Sequence, residues 1–157
     1  MTGISLFEVI GPNMVGPSSS HTAGAASMAL LARKLFPGTI RQVQFTLYGS
    51  FARTYRGHGT DRALLGGIMG FPVVILCFIK CWLAWLMELA KKAGIAYSFS
   101  KAEEEPDDIH PNTADMDIQG TNGERLFVRG VSLGGGKVKI VKLNQIEVDF
   151  TGEYSTL

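Results

Sequence analysis

The sequence is poor in cysteine and has almost no excess of charge. Its 157 residues include two cysteines, too few for a disulfide framework or for the thiolates that ligate an iron–sulfur cluster. Lys and Arg total 15 against 14 Asp and Glu, a net charge of +1. So weak a field does not recruit nucleic acid or an acidic membrane surface. With 46% apolar and 18% charged residues, the composition indicates one folded domain and excludes a disordered, charge-driven chain.

Targeting signals are also missing from the start of the sequence. The segment Met1 to Ile10 contains an acidic residue, Glu8, and lacks the basic stretch and apolar core of a secretory leader. Together with free thiols, this favours a cytoplasmic location.

One apolar run stands out, from Phe71 to Leu89, and only Lys80 and Glu88 interrupt it. As a helix of 19 residues it would reach about 28 Å, close to the roughly 30 Å of a bilayer core. The central charge and an early proline favour a buried core helix, with membrane spanning as the alternative. Cys77 and Cys81 in this run are more typical of small core residues than of metal ligands.

The hydrophobic periodicity predicts an α+β fold with its strands late in the chain. Helices are expected at Thr22–Phe36, at Thr60–Met69, and over a stretch that ends near Gly94. Strands are expected at 41–48, at 95–100, on both sides of a hairpin turn at 121–123, at 137–143 and at 146–150. Helices packed on one face of a mostly antiparallel sheet satisfy this pattern, with a charged surface loop at 101–108.

The first polar cluster leads into the first predicted helix and reads Gly16-Pro17-Ser18-Ser19-Ser20-His21-Thr22. Its four hydroxyls and its imidazole lie beside the free N–H groups of a helix N-terminus, which suits a carboxylate or another small anion. A single Ser20 or Thr22 would be explained as a helix cap. Capping alone does not explain the whole cluster.

The second polar cluster is Gly57-His58-Gly59-Thr60-Asp61. Glycines on both sides leave the His58 ring accessible and permit unusual backbone angles. Asp61 could orient the imidazole and raise its basicity, which makes His58 a candidate for proton transfer. The alternative is a plain loop in which Asp61 favours a helix start.

The third polar cluster is His110-Pro111-Asn112-Thr113, at the entry to the predicted sheet. All three histidines therefore lie in or beside turns, and their spacings of 37 and 52 residues match no zinc-binding pattern. The run Gly134–Gly136 before Lys137 lacks the phosphate-loop pattern, so a bulged turn between strands is the better interpretation.

Five motifs in series resemble the beta chain of the bacterial iron–sulfur-dependent L-serine dehydratases. They are GPSSSHTAGA (16–25), YGSFA (48–52), GHGTD (57–61), HPNT (110–113) and SLGGGK (132–137). Their order and spacing match along most of the chain. The resemblance implies that residues 1–157 form one serine dehydratase beta domain. It also implies an α+β fold similar to the allosteric substrate-binding domain of phosphoglycerate dehydrogenase.

The resemblance further implies one subunit of a two-chain L-serine ammonia-lyase that forms pyruvate and ammonia. In that family a partner alpha chain ligates a [4Fe–4S] cluster, whose iron acts as a Lewis acid on the serine hydroxyl, and no PLP is required. A base removes the Cα proton. The low cysteine count agrees with a cluster held by the partner, so no metal ligand is expected in this chain.

The resemblance also suggests roles for the polar clusters. The polar ends of L-serine are expected to bind where the two chains meet, at Ser18, Ser19, Ser20, His21 and Thr22. His58, supported by Asp61, is the candidate for proton transfer, although the base could equally come from the alpha chain. The same pocket is expected to be shaped by His110, Asn112 and Thr113.

Residues 72–87 depart from the family pattern. Where the family continues with a polar, acidic segment, Pro72 to Trp85 is strongly apolar, and polar sequence resumes only at Glu88. A reading-frame slip in the coding sequence would explain this, and the alternative is a genuine exposed apolar patch. Many family members also carry a C-terminal ACT domain, which we do not expect here because the sequence stops at Leu157.

A function of a different class stays open. The same polar clusters suit a non-catalytic module that binds a small anion or an amino acid. Ligand binding by this chain without activity in any pairing would favour that module. Serine-dependent pyruvate formation that needs both chains would favour the enzyme.

Overall fold

The protein is described by a computed structural model over residues 18–73, 75 and 83–151. Within these residues, four α-helices pack against a six-stranded sheet. In chain order the elements are a π-helical turn (Ser19–Gly24), α1 (Ala25–Leu35), β1 (Ile40–Leu47), α2 (Gly49–His58), α3 (Thr60–Ile68), α4 (Leu83–Lys92), β2 (Ala96–Lys101), β3 (Thr113–Gly120), β4 (Arg125–Gly134), β5 (Lys137–Leu143) and β6 (Ile146–Phe150).

The sheet is mixed, with strand order β2-β1-β3-β4-β5-β6. Strand β1 runs parallel to β2 and antiparallel to β3, and each remaining neighbouring pair is antiparallel. The predicted α+β class with a mostly antiparallel sheet is therefore confirmed. The predicted hairpin turn at 121–123 joins β3 to β4, and the glycine run at 134–136 lies at a register shift between β4 and β5.

The core lies between the helices and one face of the sheet. On β1, Val43, Phe45 and Leu47 are fully buried, whereas Gln42 and Gln44 are exposed. This is the two-residue period that the sequence predicted for this strand. The fully buried side chains of the neighbouring strands that belong to the same core are Ala114, Met116, Ile118, Val128 and Ile140.

Helices α1 and α3 contact each other through small residues. A Cβ atom on Gly67 of α3 would lie 2.5 Å from the carbonyl oxygen of Ala26 and 2.7 Å from the Cβ of Ala29. Neither contact leaves room for a methyl group, so the glycine sets how closely the two helices approach. From the sequence, the glycines were interpreted mainly as turn residues. Gly67 is instead required for the close packing of two helices.

Two helical segments differ from the sequence prediction. Helical structure begins at Ser19 rather than Thr22, because the Ser18 hydroxyl already accepts a hydrogen bond from the His21 N–H at 3.5 Å. Helix α2 was not predicted, since the glycines at its ends indicated turns. Its first residue, Gly49, has φ +50°, and a Cβ there would lie 2.6 Å from the Pro111 Cα. Only glycine suits that corner.

Part of the apolar run from Phe71 to Leu89 lies outside the described residues, as do Cys77 and Cys81. The described end of the run belongs to α4, where Leu86 and Ala90 are buried against Leu65 of α3. Over the described ranges, no helix has the length and apolar character needed to cross a membrane. Helix α4 ends in Lys91 and Lys92 as expected.

Candidate functional site

The His21 side chain lies within a group of serine hydroxyls. Its Nδ1 atom is 3.2 Å from Ser18 Oγ and 3.1 Å from Ser20 Oγ, and the two hydroxyls are 2.9 Å apart. Its Nε2 atom is 3.0 Å from the hydroxyl of Ser50, at the start of α2. Hydroxyls both donate and accept, so this group suits either neutral tautomer of the ring. Phe51 lies edge-on at 5.2 Å between ring centroids.

His58 ends α2 and brings a second imidazole to the same place. Its ring centroid is 5.0 Å from that of His21, and the side chain is exposed. The predicted accessibility of this ring is confirmed. Gly59 adopts φ +71° immediately after it, and this left-handed corner turns the chain from α2 into α3. The Thr22 hydroxyl donates to the His58 carbonyl oxygen at 3.0 Å and joins the first two polar clusters.

The environment lowers the pKa of His21 below its ordinary value of 6.5. Burial is the main cause, and the neighbouring His58 adds to it. Because folding favours the neutral ring, this group contributes stability above pH 6.5 that is lost as the pH falls through the lowered pKa. At neutral pH His21 is therefore a hydrogen-bonding group without charge.

This coupling predicts that His58→Ala raises the pKa of His21 part of the way towards 6.5. The variant removes the charge of His58 but leaves the burial of His21 in place. Histidine ring signals followed by NMR against pH measure the effect, and the sequence has only three histidines to assign. Arg53→Ala, which removes an exposed cation from the same helix, serves as the control. An unchanged His21 titration in His58→Ala would contradict the coupling.

The third polar cluster forms the wall against which α2 begins. The carbonyl oxygen of Pro111 accepts hydrogen bonds from the N–H groups of Ser50 at 2.7 Å and Phe51 at 3.2 Å. Within the cluster, the Asn112 N–H donates to His110 Nδ1 at 3.1 Å, and the buried Thr113 hydroxyl donates to the His110 carbonyl at 2.6 Å. These bonds set the turn and, through Pro111, the position of Ser50.

Strand β4 contacts the first cluster through Ser132. Its hydroxyl donates to the Ser20 carbonyl oxygen at 2.9 Å, and its N–H donates to the Asn112 carbonyl at 3.0 Å. A Cβ on Gly24 would overlap the Ser132 hydroxyl. The small residue at position 24 therefore lets the π-helical turn lie directly on the end of this strand.

Asp61 is buried in the first turn of α3, with 7% of its surface exposed. Its Oδ1 atom accepts from the Arg62 N–H at 2.9 Å and lies 3.8 Å from Arg62 Nε. Burial raises the pKa of this carboxyl, and the Arg62 N–H and guanidinium partly offset that shift. No hydrogen bond joins Asp61 to the His58 ring in the described part of the chain, and the charged groups that act on the carboxyl are Arg62 and Arg56.

The structure thus brings the three predicted clusters together around His21. Gly16 and Pro17 of the first cluster lie outside the described residues, and Ser19 lies within the π-helical turn. The sequence analysis did not single out Ser50 and Ser132, which make two of the contacts that assemble the site. Both lie in motifs that carried the family resemblance, and that was the available signal.

The described residues contain no group of three or more His, Cys, Asp or Glu side chains able to hold a metal ion. The site instead offers neutral hydroxyls, one neutral imidazole and one exposed imidazole. These groups can bind the polar ends of a small molecule and move a proton.

Comparison with known proteins agrees with the motif pattern. The family described as serine dehydratase beta chain matches residues 5–81. The L-serine dehydratase beta chain of Peptoniphilus asaccharolyticus is 48% identical over all of this chain and 68% of the relative. A probable L-serine dehydratase beta chain of Bacillus subtilis is 40% identical over 98% of this chain and 66% of the relative.

Similarity extends to a second group of relatives over a shorter stretch. An L-serine dehydratase of Helicobacter pylori strain J99 is 46% identical over 43% of this chain and 14% of the relative. The chain spans about two thirds of the length of the two beta-chain relatives. The high identity over the whole chain decides its membership: the protein belongs to the serine dehydratase beta chain family.

Proposed function

We propose that this chain is the beta subunit of an L-serine dehydratase, which converts L-serine to pyruvate and ammonia as an L-serine ammonia-lyase. The single observation that carries the proposal is the pairing of His21, held by three serine hydroxyls, with the exposed ring of His58 at 5.0 Å. Such a site can bind a small polar substrate and exchange a proton with it. The names of the beta-chain relatives support serine as that substrate.

The reaction requires loss of the Cα proton and of the serine hydroxyl, which leaves an enamine that hydrolyses to pyruvate and ammonia. In the proposal, His58 carries a proton at this centre, because its ring is exposed and not held by a side-chain hydrogen bond among the described residues. In the proposal it is supported by Asp61, which lies three residues later and is buried in the first turn of α3. His21 is engaged at both ring nitrogens by serine hydroxyls, and so it is better suited to orient those hydroxyls towards the substrate than to remove the proton.

Binding of the substrate's polar ends falls to the hydroxyls around His21. Ser18 and Ser20 present hydroxyls beside Nδ1, and Thr22 ties their turn to the end of α2. Ser19 belongs to the same turn. In the proposal His110, Asn112 and Thr113 shape the same site, since their turn holds the start of α2 in place.

The [4Fe–4S] cluster of the proposal belongs to a partner alpha chain. Two cysteines do not suffice for such a cluster, both lie outside the described residues, and the described part shows no set of three metal-binding side chains. The residues of this chain therefore do not fit the cluster as ligands. Their part is to bind serine and to carry protons at the surface that meets the partner, and no PLP is involved.

Co-production with a candidate alpha chain under anaerobic, iron-replete conditions tests the proposal. We expect serine-dependent pyruvate formation from the two chains together and none from either chain alone. D-serine in the same assay is the substrate control. Binding of L-serine or another small anion by this chain alone, without turnover in any pairing, would instead indicate the non-catalytic binding module.

A further inference from the structure

A polar cluster lies beside the candidate site, formed by the buried Tyr48 and Asp115 and the partly exposed Arg129. The Arg129 guanidinium donates to both oxygens of the Asp115 carboxylate, at 2.6 and 2.7 Å. The Tyr48 hydroxyl donates to Asp115 Oδ2 at 2.8 Å and accepts from Arg129 at 3.0 Å. Tyr48 and Asp115 expose only 8% and 7% of their surfaces. Such a closed set of charge-assisted bonds is among the strong polar contacts in proteins.

Tyr48 and Arg129 keep their protonation states around neutral pH. Burial and the Asp115 carboxylate raise the pKa of the Tyr48 phenol, so it stays a donor. Hydrogen bonding to Asp115 raises the pKa of the Arg129 guanidinium, so it stays charged. The guanidinium also lies over the Tyr48 ring, 5.1 Å from its centroid. A structural role therefore suits Tyr48 and Arg129 better than proton transfer.

The position of the cluster in the sheet follows from strand register. Asp115 of β3 lies directly opposite Arg129 of β4 and opposite Thr46 of β1. Tyr48 follows β1, and its N–H donates to the Thr113 carbonyl at 3.1 Å. The register of β4 against β5 shifts immediately after Arg129. Bulges of this kind redirect side chains next to functional sites.

Each of the three chain segments continues from the cluster into the site. Two residues after Tyr48, Ser50 hydrogen-bonds to His21 Nε2 at 3.0 Å. Three residues after Arg129, Ser132 donates to the Ser20 carbonyl at 2.9 Å. On the third segment, the residue two before Asp115 is Thr113, which holds the turn of the third polar cluster.

We infer that Tyr48, Asp115 and Arg129 are positioning residues of the site, which together hold the Ser50 hydroxyl against His21. The cluster joins the end of β1, the start of β3 and the middle of β4 at one point. Gly49 then turns the chain within contact distance of Pro111. None of the three side chains is hydrogen-bonded to the site histidines in the described residues. Any effect of these three residues on serine turnover rests on the proposed function. Their effect on the hydrogen bond between Ser50 and His21 does not.

The test uses the full chain alone, labelled with ¹⁵N in its histidine rings. The ¹⁵N shifts of His21 report the tautomer and the hydrogen bond at each ring nitrogen. Tyr48→Phe keeps the aromatic ring and removes one hydroxyl, and Asp115→Asn removes the charge that both partners share. We expect both variants to lose the wild-type Nε2 signal of His21 and to show a mixture of tautomers. Lys139→Ala, which breaks an exposed ion pair with Asp149 on β5 and β6, is the matched control.

The possible outcomes separate this inference from the proposed function. A folded Tyr48→Phe chain whose His21 signals equal those of wild type would overturn the inference, even if Asp115→Asn does not fold. A Tyr48→Phe chain that unfolds would overturn it as well, because the cluster would then hold the fold rather than the site. The same change of His21 signals in Lys139→Ala would also overturn the inference, because His21 would then respond to changes that do not touch the cluster. Absence of serine turnover in every pairing would contradict the proposed function and leave the His21 result standing.

Discussion

The His58→Ala chain, assembled with its alpha chain, should form pyruvate from L-serine about 100-fold to 10,000-fold more slowly, the usual cost of losing a positioned proton carrier. The exposed ring of His58 faces His21 at 5.0 Å and is free to approach a bound substrate. We expect the loss in kcat, with a small change in KM, because the hydroxyls around His21 remain. Steady-state assays at several serine concentrations measure both constants.

Arg53→Ala is the control for this experiment, since Arg53 is exposed on the same helix. It should keep near-normal turnover. Near-normal turnover of His58→Ala would contradict the proposed role of His58 and would indicate that the base comes from the alpha chain. Size-exclusion chromatography must first show that the His58→Ala chain still associates with the alpha chain, because lost association would also lower turnover.

Gly67→Val should reduce the free energy of unfolding by about 3 kcal/mol or more, the upper part of the range for overpacked cores. A Cβ atom at this position would already lie 2.5 Å from the Ala26 carbonyl oxygen and 2.9 Å from the Leu30 backbone nitrogen. Valine adds two further methyl groups, so α1 and α3 must move apart. Urea unfolding followed by circular dichroism measures the change, against a total stability of about 5–15 kcal/mol for ordinary domains.

Gly57→Ala is the matched glycine variant. Gly57 lies in α2, and nothing comes within 4 Å of a Cβ built there. Alanine should therefore keep the stability or raise it by up to about 1 kcal/mol, because alanine favours the helix over glycine. Equal urea midpoints for Gly67→Val and wild type would show that the two helices are not held in contact at this residue.

Much of the fold could be predicted from local patterns. The alternation of Val43, Phe45 and Leu47 identified β1, and the hairpin at 121–123 joined the expected strands. The parallel pairing of β1 with β2 and the helix α2 were not predicted. A parallel pair depends on a crossover between distant segments, which local patterns do not show. Helix α2 lies between Gly49 and Gly59, and glycines at both ends of a short segment are typical of a loop.

The candidate site, like the fold, could be predicted from the sequence only in part. Composition and turn residues pointed to Ser18, Ser20, His21 and His58, and the structure brings them together. Ser50 was not singled out, because a lone serine beside a glycine is ordinary in sequence. Its importance depends on the Pro111 carbonyl, which holds the first turn of α2 against His21.

By itself the sequence determined the α+β class, the three polar clusters and the resemblance to a serine dehydratase beta chain. These depend on side-chain periodicity, turn residues and motifs, which are local properties. Only the tertiary structure decided that His21 meets Ser50 across 29 residues and that Ser132 meets Ser20 across 112. Strand register brings such segments together, and register depends on the packing of the whole sheet against its helices.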